Sequence, residues 1–354
     1  MRIERPYASP SQATVLRTLR DGYWDRTDVI RLPDGSMRVR KVSKGAQAGP
    51  WGQVVLRREI QYLSSLTGPV ADVFPRVLAA WDSGADVGYE MSYIDRTRDA
   101  GAIAQAGEVD QAKADRFGDV LGTVVFDLIH VPVPVAQALG AHVRETLSYA
   151  LETLVQEAPL AHLIQAGDIR VNGKPMAGTR RAVERVCEAS GPLSMLDAGP
   201  CVRLHGDCFM ENILVPDAVT DARWPARLTM VDPVSVAGVY EGHPLFDLVK
   251  YESYATGELL ALRSGKVEVD GFDLPSGGYV YRVREEEPSL QPFTQVDWRS
   301  RFRDAYLKKY LTVHLPTYHL LEGYFALVMA VCTSGAQRRA RLLRATMALN
   351  EAAD

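Results

Sequence analysis

"CVRLHGDCFMENILVPD", residues 201–217, sets His205, Asp207 and Asn212 between two apolar anchors. The flanks "VRL" and "ILV" read as short strands, whereas His, Asp and Asn are poor formers of either helix or strand. A polar loop pinned between buried strands is where chemistry is commonly carried. Asp207 is a carboxylate able to orient a hydroxyl and accept its proton. Asn212, five residues on, offers a neutral oxygen ligand for a hard cation. Downstream, "RLTMVDPVS" (227–235) leads an apolar run to Asp232, and Pro233 ends the strand there. A base, an amide oxygen and a second carboxylate, in that order, are the parts that kinase-type phosphoryl transfer uses. Catalysis of that kind is mostly positioning plus charge neutralisation by Mg²⁺.

Such chemistry also needs a cation for the phosphates. In "SMRVRKVSK" (36–44), strand alternation puts Met37, Val39 and Lys41 on one face and Arg38 and Arg40 on the other. Lys41 then shares the inward face, and the two arginines are expected to point to water. A buried ammonium requires a counter-charge. The helical spacing of Leu56, Ile60 and Leu63 in "QVVLRREIQYLSSL" (53–66) places Glu59 on the same apolar stripe. Lys41 and Glu59 are therefore expected to pair.

The rest of the chain supports a small β-rich part followed by a large helical one. Residues 11–20 are expected to form a short helix, "PDG" (33–35) a hairpin turn, and 75–94 a strand pair joined by "DSGAD". Beyond Asp95 the pattern turns helical: 110–130, 142–158, 179–190, 243–263, 298–312 and 318–349. Asn172–Gly173 marks a small hairpin, and 266–283 an inserted β excursion. The division is expected at 1–94 and 95–354.

The chain has 354 residues, 47% hydrophobic and 24% charged, with formal net charge −4. That balance offers no basic footprint for nucleic acid. The four cysteines are scattered without a CxxC pair, so neither a disulfide framework nor a zinc site is expected, and they read as apolar fillers, with Cys208 beside Asp207. "MRIERPYASP" lacks the apolar core of a signal peptide. The longest apolar run, 320–332, is too short to span a bilayer and is interrupted by Glu322, so no membrane association and a cytoplasmic location are expected. The acidic run 285–287 reads as a solvated face, and His314, His319 and Glu322 as packing residues rather than an acceptor pocket.

Taken with their order, the motifs "HGDCFMEN", "VDP", "GHPLFDLVKY" and the "VxK" strand with its "LRREIQYLSSL" helix resemble the aminoglycoside phosphotransferase and choline kinase branch of the protein-kinase-like superfamily. The first pattern alone arises by chance in about one chain of this length in a thousand. The resemblance spans roughly residues 20–255. It implies an α+β, bilobal, protein-kinase-like fold with a β-rich N-lobe and an α-rich C-lobe. It implies ATP as phosphoryl donor, Mg²⁺, and a small hydroxylated acceptor: an antibiotic, aminoglycoside, nucleoside or sugar-like molecule. A primary-metabolism sugar or amino-alcohol kinase and a non-catalytic nucleotide-binding module are the alternatives. Residue by residue, it makes Asp207 the base, His205 a brace of the loop, and Asn212 and Asp232 the metal ligands. Lys41 would contact the α- and β-phosphates, steadied by Glu59. Backbone groups near Ser92, Tyr93 and Ile94 would hold the adenine, and Asp247 would anchor the loop from behind. One departure stands out: the stretch matching the phosphate-covering loop, "RDGYWDRTDV" (20–29), has a single glycine, Gly22.

Overall fold

The computed structural model describes residues 10–45, 51–84, 86–134, 139–235, 238–273 and 278–354. The architecture is α+β, in two compact units. One comprises the chain up to Ala100 together with His205–Asp207 and Glu211–Tyr240; the other comprises Gly101–Leu204, Cys208–Met210 and Glu241–Asp354.

The first unit is built on an antiparallel five-stranded sheet: β1 (Thr14–Asp21), β2 (Asp25–Arg31), β3 (Met37–Ser43), β4 (Val77–Asp82) and β5 (Val87–Ser92), in the order β1-β2-β3-β5-β4. Strand β5, between β3 and β4, is buried along both faces. Helix α1 (Gly52–Ser65) turns Val55, Leu56, Glu59 and Tyr62 inward at helical spacing. Val39, Leu56, Val87, Tyr89 and Met91 form the core between helix and sheet, with Ile60, Leu63 and Tyr93 packed against them.

Residues 11–20 are not a helix. Val15, Leu16 and Leu19 mimic a helical stripe, but all eight residues of β1 are exposed, so no apolar face is buried that would hold a helix together. The backbone pairs instead along β2, from Thr14↔Arg31 to Asp21↔Arg26, with register shifts after Val15 and Thr18. A second, three-stranded sheet carries the polar loop's exit: β6 (Thr97–Asp99), β10 (Ile213–Pro216) and β11 (Thr229–Met230), with β10 central.

The second unit is mostly helical. In chain order it contains α2 (Ala100–Gln105, whose first residue belongs to the first unit), α3 (Gln111–Gly122), α4 (Leu139–Leu154), α5 (Ala158–Gln165), β7 (Asp168–Val171), β8 (Lys174–Ala177), α6 (Thr179–Val186), α7 (Met195–Ala198) and β9 (Val202–Arg203). These are followed by β12 (Glu241–Gly242), α8 (Leu245–Ala255), α9 (Glu258–Ser264), β13 (Val267–Asp270), β14 (Gly278–Val283), α10 (Gln291–Gln295), α11 (Ser300–Tyr310), α12 (Leu315–Val331) and α13 (Gly335–Ala353). Three expected helices are interrupted. The first is α3, capped by Asp110 accepting from the Lys113 N–H at 2.9 Å, which widens into a π-helix, Thr123–Ile129. The 243–263 helix divides at Gly257, and the 318–349 helix divides between α12 and α13. The Asn172–Gly173 turn has φ +51 and +78, the geometry of a two-residue type I′ hairpin. The β excursion is not separate from that hairpin. Strand β14 runs parallel to β7 (Gly278↔Arg170, Tyr279↔Val171), giving one sheet β13-β14-β7-β8; residues 274–277 of the excursion lie outside those described. The Asn172 side chain fastens it, donating to the Tyr281 carbonyl at 2.7 Å and accepting from the Tyr281 N–H at 2.9 Å. Among the described residues no helix is long and apolar enough to cross a membrane.

Candidate active site

The loop after Leu204 is held by backbone contacts before any side chain enters. Gly206 sits at φ +83, and a Cβ there would lie 2.5 Å from the Val239 carbonyl and 2.9 Å from the Ser235 nitrogen. The loop and the segment after Asp232 thus run backbone against backbone. The His205 carbonyl accepts the Val234 N–H at 2.7 Å. Its fully buried ring accepts the Asp207 N–H at Nδ1 (3.3 Å) and stacks on Phe74, centroids 5.8 Å apart. Asn212, also buried, donates to the Asp207 carbonyl at 2.8 Å and to its Oδ2 at 3.0 Å. That directs the amide oxygen away from Asp207. The backbone carbonyl of Asn212 accepts the Val231 N–H at 2.9 Å, tying this loop to the strand that delivers Asp232.

Asp232 and Val234 have φ +52 and +79. Asp tolerates this region, whereas a β-branched valine there is strained, the kind of backbone found where surroundings over-determine a functional segment. Helix α1 grips the same segment: Arg58 Nη1 donates to the Gly238 carbonyl at 2.6 Å, and Tyr62 meets Tyr240 edge to face.

Lys41 is 4% exposed, and its Nζ lies 2.9 Å from Glu59 Oε2, 3.0 Å from Asp232 Oδ1 and 3.7 Å from Asp25 Oδ2. Burial alone would lower the lysine's pKa, but Asp232, Asp25 and Glu59 together raise it, so it stays an ammonium. Burial pushes the Glu59 carboxyl up to about 7 against the pull of Lys41. Tyr89 steadies it, donating to Oε1 at 2.6 Å. For Asp232, Lys41 and Arg20 overcome burial and hold its pKa below the ordinary value. Arg20 comes from β1, its Nη1 3.1 Å from Asp232 Oδ2. Its side chain is 46% exposed, so the partial desolvation that opposes its charge is outweighed by Asp232, Asp207, Asp25 and Glu211, and its pKa is raised.

The structure therefore brings Lys41, Glu59 and Asp232 into contact, and separately joins Asp207 to Asn212 and His205. Of the three residues expected beside the adenine, Ser92 is engaged within the protein: its N–H donates to the Arg76 carbonyl and its hydroxyl accepts the Arg76 N–H, both at 3.0 Å. The Ile94 carbonyl accepts the Thr97 hydroxyl at 3.2 Å. Asp247 is fully buried, with Oδ2 2.9 Å from His130 Nε2, and His130 Nδ1 lies 3.0 Å from the Tyr310 hydroxyl.

Arg38 and Arg40 do not point to water. Both pair with fully buried Glu90, at 2.9 and 2.8 Å, and Ser11 donates to it through N–H and hydroxyl. Sequence reading misses Glu90 because alternation tells which face a side chain takes, not what covers that face. It also misses Arg20, Asp25 and Tyr89. The register Thr27↔Lys41↔Tyr89 places Tyr89 beside Lys41, a neighbourhood visible only once the strands are paired. Of the cysteines, Cys208 is buried while Cys187, Cys201 and Cys332 are half-exposed, so only Cys208 is fully a core filler. His314 caps α12 through Thr317, while His319 and Glu322 pair at 2.9 Å and Arg344 holds Glu322 at 3.0 Å.

No protein-family model and no curated protein matches the chain. Among the solved structures similar to it are two sugar-type kinases. One is a glucosamine kinase in complex with glucosamine, ADP and inorganic phosphate, 14% identical, covering 97% of this chain and 94% of that one, TM-score 0.41. The other is named as a fructosamine-3-kinase from Thermobifida fusca, 16% identical, covering 96% and 94%, TM-score 0.42.

Proposed function

We propose that the protein is an ATP-dependent small-molecule kinase, moving the γ-phosphoryl group to a hydroxyl of an antibiotic, aminoglycoside, nucleoside or sugar-like acceptor. The observation that carries this reading is Lys41 Nζ set between Glu59 and Asp232. A buried lysine fixed by a helix carboxylate and facing a strand-end carboxylate is the arrangement used to hold nucleotide phosphates. Lys41 binds the α- and β-phosphates, with Glu59 fixing its position. Asp232 and the amide oxygen of Asn212 are hard oxygen donors of the kind Mg²⁺ takes, so the donor set fits that ion. Mg²⁺, when bound, supplies charge neutralisation on the phosphates. Backbone groups near Tyr93 and Ile94 receive the adenine.

Asp207 orients the acceptor hydroxyl and takes its proton. The hydroxyl oxygen attacks the γ-phosphorus in line, the bond to the β–γ bridging oxygen breaks, and ADP leaves with that electron pair. Asn212 holds the Asp207 carboxylate at 3.0 Å, and the His205 ring holds the backbone N–H of the same residue.

The test is Mg²⁺-dependent ATP consumption across a panel of hydroxylated antibiotics, nucleosides, sugars and amino alcohols, with Asp207→Asn and Asp207→Ala alongside. Turnover on at least one acceptor is expected, falling by about 10²–10⁴ in both variants. Nucleotide binding without turnover on any acceptor, or an Asp207→Ala enzyme as fast as wild type, rules the reading out.

A further inference from the structure

Given the phosphoryl-transfer reading above, on which this assignment rests, the geometry points to Arg20 as the residue that takes the terminal phosphates of the nucleotide, in place of a glycine-rich loop. A phosphate-cradling loop works by aiming backbone N–H groups at the anion. Here the N–H of Gly22 is directed into the hairpin, donating to the Asp25 carbonyl at 3.0 Å. The Gly22 carbonyl accepts from Lys44 Nζ at 2.5 Å, and Lys44 also pairs with Asp21 at 2.8 Å. The turn is closed on itself, and its one glycine has no N–H to offer a phosphate. Nor does the backbone demand a glycine there: a Cβ would meet nothing nearer than 3.5 Å.

Arg20 supplies what the turn lacks. It stands two residues before Gly22, and its side chain remains 46% exposed while Nη1 reaches Asp232 Oδ2. Lys41 holds the other oxygen of the same carboxylate, at 3.0 Å from Oδ1. Two cations from neighbouring regions of one sheet therefore clamp one carboxylate, and Asp207, Asp25 and Glu211 add to the field on Arg20. With Asp232 serving as a ligand of Mg²⁺, the Arg20 guanidinium would offer its planar fork of donors to the nucleotide phosphates, the geometry in which arginine binds phosphate bidentately. Arg20 lies on an exposed edge strand, so its substitution leaves the sheet's core untouched.

Isothermal titration calorimetry with ATP, ADP and adenosine, in Mg²⁺, tests this on wild type, Arg20→Gln and Arg17→Gln; Arg17 is another exposed arginine of β1 and controls for the lost charge. Arg20→Gln is expected to bind ATP about tenfold to a hundredfold more weakly while adenosine changes by less than about twofold, with Arg17→Gln like wild type. Equal losses for ATP and adenosine would make Arg20 a merely structural partner of Asp232. Tighter ATP binding in Arg20→Gln would make it a competitor for Asp232. Either result overturns the assignment. Wild-type protein that binds no nucleotide overturns it together with the kinase reading, whereas wild type that binds ATP normally with an unaffected Arg20→Gln overturns this assignment alone.

Discussion

At Gly206 a single hydrogen atom decides whether the loop after Leu204 can lie against the segment after Asp232. Its φ of +83 strains any other residue, and a Cβ would press on the Val239 carbonyl, the Ser235 nitrogen and, at 3.2 Å, the Val234 Cα. None of these is the flexible end of a side chain. Gly206→Ala should therefore move the loop rather than be absorbed. A displacement near 1 Å at the reacting groups costs about a hundredfold in rate. The expected outcome is a kcat lowered by roughly that factor with ATP affinity retained, read by steady-state kinetics beside calorimetry; a variant with wild-type kcat would show that the close approach is dispensable. The polar trio of this loop was legible in the sequence because residue type, order and spacing were all visible there. The arginine on Asp232 was not, since nothing local links position 20 to position 232. The same holds for Glu90, whose charge is met by residues 50 and 52 positions away on the neighbouring strand.

Among the elements, periodicity read the buried helices well and the exposed edge badly. Helix α1 announced itself because its inward stripe is apolar apart from Glu59. Strand β1 misled because its side chains face water on both sides, so pairing with β2, not burial, fixes its form. Helix α3 shows another feature periodicity cannot supply, namely how closely it approaches a partner. Gly118 and Gly122 are one turn apart and face α11: a Cβ at Gly118 would come within 2.7 Å of Arg301 Cβ and 3.2 Å of the Phe302 nitrogen, and one at Gly122 would overlap Ala305 Cβ. On an open helix, replacing Gly with Leu would gain nearly 1 kcal/mol of helix propensity. At this seam overlap should win, because the opposing atoms are backbone and Cβ. Gly122→Leu is expected to lower stability by about 1–3 kcal/mol, measured by urea denaturation. A variant as stable as wild type would mean the two helices separate freely.

For the molecule as a whole, the change of texture near residue 95 suggests a single cut of the chain, whereas the first compact unit runs to Ala100 and also takes in His205–Asp207 and Glu211–Tyr240; the joining of the 168–177 hairpin with strands β13 and β14 into one sheet was not legible either. A parallel pairing between segments more than a hundred residues apart leaves no local signal. Whole-molecule stability should depend on pH through a histidine in the motif "GHPLFDLVKY". His243 stands just before α8, and its Nδ1 accepts the Leu245 N–H at 3.2 Å, which requires that nitrogen to be unprotonated. Its ring is packed against Gly199. Burial first, then the nearby His314 and His130, bring its pKa from 6.5 down to about 4. A folded-state value below the unfolded one means the stabilisation is fully present above 6.5 and is lost as pH falls towards 4, because the unfolded chain gains the proton first. The difference is worth at most about 3 kcal/mol, since each unit corresponds to about 1.4. His243→Asn keeps an acceptor near the Leu245 N–H and removes the titration. Urea midpoints at pH 7.5 and pH 4.5 should show the wild type losing about 2–3 kcal/mol more than the variant between the two, against a shared background from the carboxylates. Parallel losses in both proteins would mean that His243 is already charged when folded, and that its bond to Leu245 does not survive in solution.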